Sequence, residues 1–212
     1  MNIFALKESP WQAVKDMIDK HIVKMPTETC QMLHTNSLYF HYKSVYGTEP
    51  SLKELKEFHV FINSKLMKPA MLNHPSTIWA RQSLANFTWL YEHGLALCIE
   101  YTHRYDKTHG SYNRILDCGL TEDIVLHYNY PVKELTPVTI AMFDKYRLPQ
   151  EEKHTWSFVI RSYRHYYLEG KWEFATWKTQ PPNWWPKDHY DNMMAKKVEA
   201  FNQTYNAKLE EE

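Results

Sequence analysis

NHPSTIWARQSLANFTWLYEHGLALCIEYTHRY, residues 73–105, is the longest periodic stretch of the chain, and its reading decides the fold class. Asn73-His74-Pro75 has the form of a helix start, a capping residue followed by proline in the first turn. From about Ser76 to Tyr105, at about 100° per residue, Trp79, Ser83, Asn86, Leu90, His93, Leu97, Glu100 and Arg104 fall along one side. Phe87, Tyr91, Leu95 and Cys98 form a second, apolar side. A helix with two sides to bury belongs at the centre of a domain. Its polar members spread over roughly 27 Å of helix, too far for one small-molecule site. Either a neighbouring subset acts together, or the groups form a buried network that fixes helix register.

Outward from this segment the same periodicity recurs. Ser9-Pro10 opens a helix running from about Trp11 to His34, and a connector with Gly47 and Pro50 leads to a second helix from about Ser51 to Met67. Short helices are predicted near 121–128 and 138–145, and 152–178 is helical with a break at Gly170. Pro181-Pro182 and Pro186 bracket Trp184-Trp185 before a last polar helix from Lys187 to Glu212. Residues 2–6 are a short strand or an extended arm. Only 5 glycines occur in 212 residues, which agrees with helices, because tight turns and bulges consume glycine. The expected architecture is mainly α, a single compact helical domain around a central long helix. Residues 1–186 form its core, and 187–212 a polar helix and acidic tail.

Composition removes several classes of function. The 25 Lys and Arg balance 25 Asp and Glu, so any polyanion binding must be local. Cys30, Cys98 and Cys118 are an odd number without a CxxC pair, which points away from a disulfide framework and toward a reducing compartment. No stretch approaches the roughly 20 apolar residues of a membrane span, so a cytoplasmic protein without membrane contact is expected. HExxH, GxGxxG and GxxxxGK[ST] are absent. Glu100 and His103, and Glu151 and His154, have the spacing of di-iron bundles. Glu151 lies in a solvated charge run, however, and His103 is off the stripe of Glu100, so no metal and no other cofactor is expected.

Two clusters remain. On the first helix Val14, Met17, Ile18, Ile22, Met25, Thr29 and Met32 gather on one side, and His21 and Glu28 project from that side two turns apart with Lys24 at the flank. A carboxylate on a buried face needs a partner or a cleft. One reading pairs Glu28 with an arginine and leaves His21 in the core. The other places both in a pocket, where burial tunes the carboxyl for acid or base work. The second cluster has Arg161, Arg164 and His165 on one helical side, followed by Lys171, Trp172, Phe174, Trp177, Lys178, Trp184, Trp185 and Lys187. Such interleaving suits phosphate contact with base stacking. It equally suits a solvated basic face clamped to the core by tryptophans. Arg104 and Lys107 would extend a phosphate-binding patch.

The strings Asp19-Lys20-His21-Ile22-Val23-Lys24-Met25, Asn73-His74-Pro75 through Trp89-Leu90, Glu100-Tyr101 through Lys107, and Arg161-Ser162-Tyr163-Arg164 resemble an uncharacterised family of tailed-phage proteins of the cyanophage type. His21 and Glu28, on a first helix close behind an N-terminal arm, also resemble the phage-type pyrimidine-dimer DNA glycosylases. In that family the terminal α-amine attacks the sugar and the glutamate assists Schiff-base chemistry. The resemblance implies Glu28 as acid and base, His21 as a substrate contact and the Met1 amine as nucleophile, with Asn2 hindering removal of Met1. Thr27 and Gln31 stand where that family carries arginines. The leading expectation is a phage-encoded enzyme acting in the host cytoplasm on DNA or a nucleotide, most concretely an N-glycosylase with lyase activity. Lys24, Asn86, His93, Arg104, Lys107, Arg161 and Arg164 are its expected nucleic-acid contacts. The alternatives are a host-takeover or virion protein that binds a protein partner through its aromatics, and a nucleotide-modifying enzyme with arginines around a phosphate.

Overall fold

Asp16, Met17 and Ile18 break the expected first helix in two. The computed structural model describes residues 1–118 and 134–210, with side chains as far as 204, and in it α1 spans Pro10–Lys15 and α2 spans Asp19–Tyr46. Ile18 is extended (φ −65°, ψ 153°), which frees the carbonyls of Lys15 and Met17 to accept bonds from outside the helix. α2 then runs past Pro26 to Gly47, whose left-handed backbone (φ 71°) closes it.

The long periodic segment is also two helices, α4 (Pro75–Gln82) and α5 (Leu84–Tyr105), where one was expected. α3, Leu52–Phe61, precedes them and opens with a reciprocal capping box between Ser51 and Glu54. It stops short of the expected Met67, since Asn63 already takes a positive φ of 48°. Between α4 and α5, Ser83 is extended and its hydroxyl accepts the Asn86 amide, so a local cap competes with helix continuation and wins. His74 caps α4 in a similar way, its Nδ1 accepting the Ser76 amide at 3.2 Å.

After α6 (Tyr112–Asp117), the helix expected near 121–128 lies outside the described residues. The segment expected to be helical at 138–145 is extended apart from a 3₁₀ turn at Asp144–Tyr146. α7 is Trp156–Gly170, followed by a 3₁₀ turn at Trp172–Phe174, and α8 is His189–Glu210. Among the described residues there is no strand, and no helix is long and apolar enough to cross a membrane.

α5 is the central element, packed against α1, α2, α4 and α6. It passes close to α2 at Gly94, where a Cβ would stand 2.9 Å from Thr29 Cγ2. That contact sets the depth of the turn of α2 carrying Glu28. Residues 2–6 form a buried arm, not a strand. Ile3, Phe4, Ala5 and Leu6 are core residues, and the Ala5 and Leu6 amides bond back to Ile3 and Phe4 in tight turns.

Candidate active site

The buried arm delivers the chain's first residues to α2. The Met1 terminal nitrogen lies 3.6 Å from Glu28 Oε2, and the Asn2 amide donates to the same oxygen at 3.1 Å. Lys24, one turn earlier on α2, holds Oε1 at 3.0 Å. The Glu28 side chain is 17% exposed, so it is neither sealed in the core nor free in water. Among the described residues no arginine pairs with Glu28, as one reading had it; its partners there are an amine, an amide and a lysine.

Asn2 fixes the arm on its other side. Its Nδ2 donates to Ala141 O at 2.7 Å, and its Oδ1 accepts the Ile3 amide at 2.8 Å. The Tyr163 hydroxyl lies 2.9 Å from both Asn2 Oδ1 and Thr139 O, and accepts the Ala141 amide at 3.2 Å. The arm, the 139–141 segment and α7 are therefore tied at one point beside the terminal amine.

His21 stacks on Phe4, with centroids 4.0 Å apart, and its Nδ1 meets the Tyr167 hydroxyl at 2.6 Å. Burial holds the Tyr167 phenol well above its ordinary pKa, so the hydroxyl keeps its proton. Its contact with His21 fixes the orientation of the imidazole and engages Nδ1. Burial, reinforced by the positive charges of Lys171 and Lys24, lowers His21 to about 3, so the ring is neutral at physiological pH. His74 is held below its ordinary value as well, by burial and then by the charge of the terminal amine, with Glu28 opposing.

These groups line one open cleft of about 580 Å³. The N-terminal arm, α2 and the start of α4 contribute Met1, Asn2, Phe4, His21, Lys24, Glu28 and His74; the 141–147 segment and α7 with its C-terminal cap contribute Ala141, Met142, Phe143, Arg147, Tyr166 and Lys171. The charged lining is Glu28 against the terminal amine, Lys24, Arg147 and Lys171, so the cleft is locally positive although the chain is neutral. An amine beside a carboxylate can exchange a proton, and the surrounding cations suit a phosphodiester.

The other expected contacts lie elsewhere. Asn86 is buried, donating to Trp79 O and Thr136 Oγ1 and accepting the Thr136 amide. His93 is 1% exposed, stacks on Trp89, and has no partner for either ring nitrogen among the described residues. Arg104 donates to Glu100 Oε1, Asp19 Oδ1, Met17 O and Lys15 O at 2.8 to 3.2 Å, so its guanidinium is committed inside the fold. Here the side of α5 works as a buried network that fixes the start of α2. Arg161 pairs with Glu151, and Arg164 donates to Leu6 O beneath the Trp184 ring. Lys107 is exposed beyond α5 and outside the cleft lining. Trp177 and Trp184 clamp the α1–α2 junction through Asp16. No group of three or more potential metal ligands comes together among the described residues.

His74, Phe143 and Arg147 were not anticipated from sequence. His74 carried the signal of a cap, and 143–147 overlaps the segment that the sequence reads as a short helix.

The family model for pyrimidine dimer DNA glycosylases matches residues 1–113, somewhat more than half of the chain. The chain belongs to that family, and a DNA glycosylase-type function goes with membership. Comparison with curated proteins and with solved structures returns no match. The matched residues carry Met1, His21, Lys24, Glu28 and His74, while the lining residues from Ala141 onward lie beyond them.

Proposed function

We propose that this member of the pyrimidine dimer DNA glycosylase family is an N-glycosylase with lyase activity on ultraviolet-damaged duplex DNA, with the Met1 α-amine as nucleophile and Glu28 as acid and base. One observation carries the reading: an α-amine 3.6 Å from a carboxylate, on the wall of an open cleft whose remaining charges are cations.

The unprotonated amine attacks C1′ of a damaged nucleotide, forming an N–C1′ bond as the glycosidic bond breaks. The base departs with the bonding electrons and takes up a proton. Glu28 accepts a proton from the new C1′-bound nitrogen and returns it to O4′ as the sugar ring opens, which leaves an iminium linking protein and DNA. Glu28, again a carboxylate, takes a proton from C2′, the freed electron pair expels the 3′ phosphate and cuts the strand, and water hydrolyses the imine to release the amine. Lys24, Arg147 and Lys171 hold phosphates. His21, neutral, offers a ring nitrogen for hydrogen bonding to the sugar or base without adding charge beside the amine.

The test is incubation with irradiated and untreated duplex. Strand cleavage confined to irradiated DNA, reduced about 100-fold or more in Glu28→Gln, is the expected outcome. Failure to retain or cut either DNA, even at low salt, overturns the proposal.

A further inference from the structure

Among the described residues, Phe143 is the one large apolar side chain of the cleft that stands in solvent, 71% exposed. An apolar ring left in water forgoes the gain of burial, and this one faces the same opening as Met1 and Glu28. Its backbone is fixed on both flanks. Ala141 is pinned through its amide to Tyr163 and through its carbonyl to Asn2. Phe143 O accepts the Tyr146 amide at 3.0 Å, and Arg147 Nε donates to Met142 O at 3.2 Å. The ring is thus presented on a braced turn, with the Arg147 guanidinium beside it in the cleft.

We propose that Phe143 enters the base stack of the bound duplex, filling the place of the nucleobase displaced when a sugar is drawn to the amine. The inference rests on reading the cleft as a glycosylase site. A C1′ within a duplex cannot reach a cleft wall unless the local stack opens. An inserted apolar ring offsets the lost stacking, and the neighbouring cations hold the flanking phosphates. The single carboxylate and four positive groups of the lining favour DNA as the occupant over an apolar protein segment.

The test uses a duplex with one ultraviolet dimer and 2-aminopurine in the opposite strand, with wild type, Phe143→Ala and Phe143→Trp. Because the ring is exposed, both variants are expected to keep the wild-type melting temperature. The wild type raises 2-aminopurine fluorescence on binding. Phe143→Ala loses that rise and cleaves about tenfold more slowly under single turnover; Phe143→Trp retains both. On the same lesion in a single strand, which has no stack to open, the three proteins are expected to cut alike. Equal fluorescence and duplex rates in wild type and Phe143→Ala overturn the proposal while the glycosylase reading stands. A Phe143-dependent fluorescence change without cleavage by the wild type overturns the glycosylase reading while stacking stands.

Discussion

The terminal nitrogen of Met1 lies 3.6 Å from Oε2 of Glu28, the ion pair that joins the buried N-terminal arm to the second helix. Neither group reaches the other through local sequence. The arm is held by burial of Ile3 to Leu6 and by the side-chain bonds of Asn2, and α2 is held by its start at Asp19. The chemistry proposed for the pair depends on both anchors.

The cleft cations should govern affinity for DNA. Lys24→Ala, Arg147→Ala and Lys171→Ala are each expected to weaken binding to any duplex and to flatten the salt dependence by about one phosphate's share. Arg161→Ala, which lies outside the cleft lining and pairs with Glu151, is expected to leave that slope unchanged. Fluorescence anisotropy across a salt series reads both.

Acid should destabilise the fold through its buried imidazoles. Burial alone lowers His93 from 6.5 to about 3, and His21 falls to about 3 by burial and its lysine neighbours. Both rings are neutral in the folded chain, whereas an unfolded histidine binds a proton below its ordinary pKa. Their contribution is therefore complete above pH 6.5 and is lost as pH falls from there toward 3. Between pH 7.5 and 5 each loses on the order of 2 kcal/mol. His93→Phe, which keeps a ring against Trp89, is expected to show a shallower fall in Tm over that range. An unchanged pH slope in that variant would contradict the assignment.

Arg104 should matter to folding. Its guanidinium joins Glu100 on α5 to Asp19 at the start of α2 and to two freed carbonyls of the α1–α2 break. Arg104→Met removes the donor shared by Glu100, Asp19 and those carbonyls, leaving Asp19 with the Lys178 amide, and is expected to cost about 3–5 kcal/mol. Urea denaturation measures the loss. The salt slope of DNA binding is expected to remain that of the wild type.

The sequence disclosed the helical class and the central segment because α5 repeats its apolar side chains over many turns, and periodicity of that length has no competing explanation. It disclosed the pair His21 and Glu28 because polar groups on an apolar side stand out. Helix boundaries were less legible. At Ser83 and at Asp16–Ile18 the deciding factors are a side-chain cap and the demand of Arg104 for carbonyls, one local and one distant, and neither alters the apolar period. The same period could not separate site from scaffold on α5, where Asn86, His93 and Arg104 are polar because they bond or pack inward. Phe143 and Arg147 were missed for a different reason: their segment reads as a short helix but is extended around a single 3₁₀ turn, and it is tied beside the cleft by Asn2 and Tyr163, distant in the chain.

Borohydride trapping tests the central claim most directly. With irradiated duplex and reductant, the wild type is expected to form a covalent protein–DNA adduct that proteolysis and mass spectrometry place on the amino-terminal peptide. Glu28→Gln should form little of it, and prior acetylation of the terminal amine should abolish it. An adduct on a lysine side chain such as Lys24 or Lys171, or undiminished trapping after acetylation, would contradict the assignment of the Met1 amine as nucleophile.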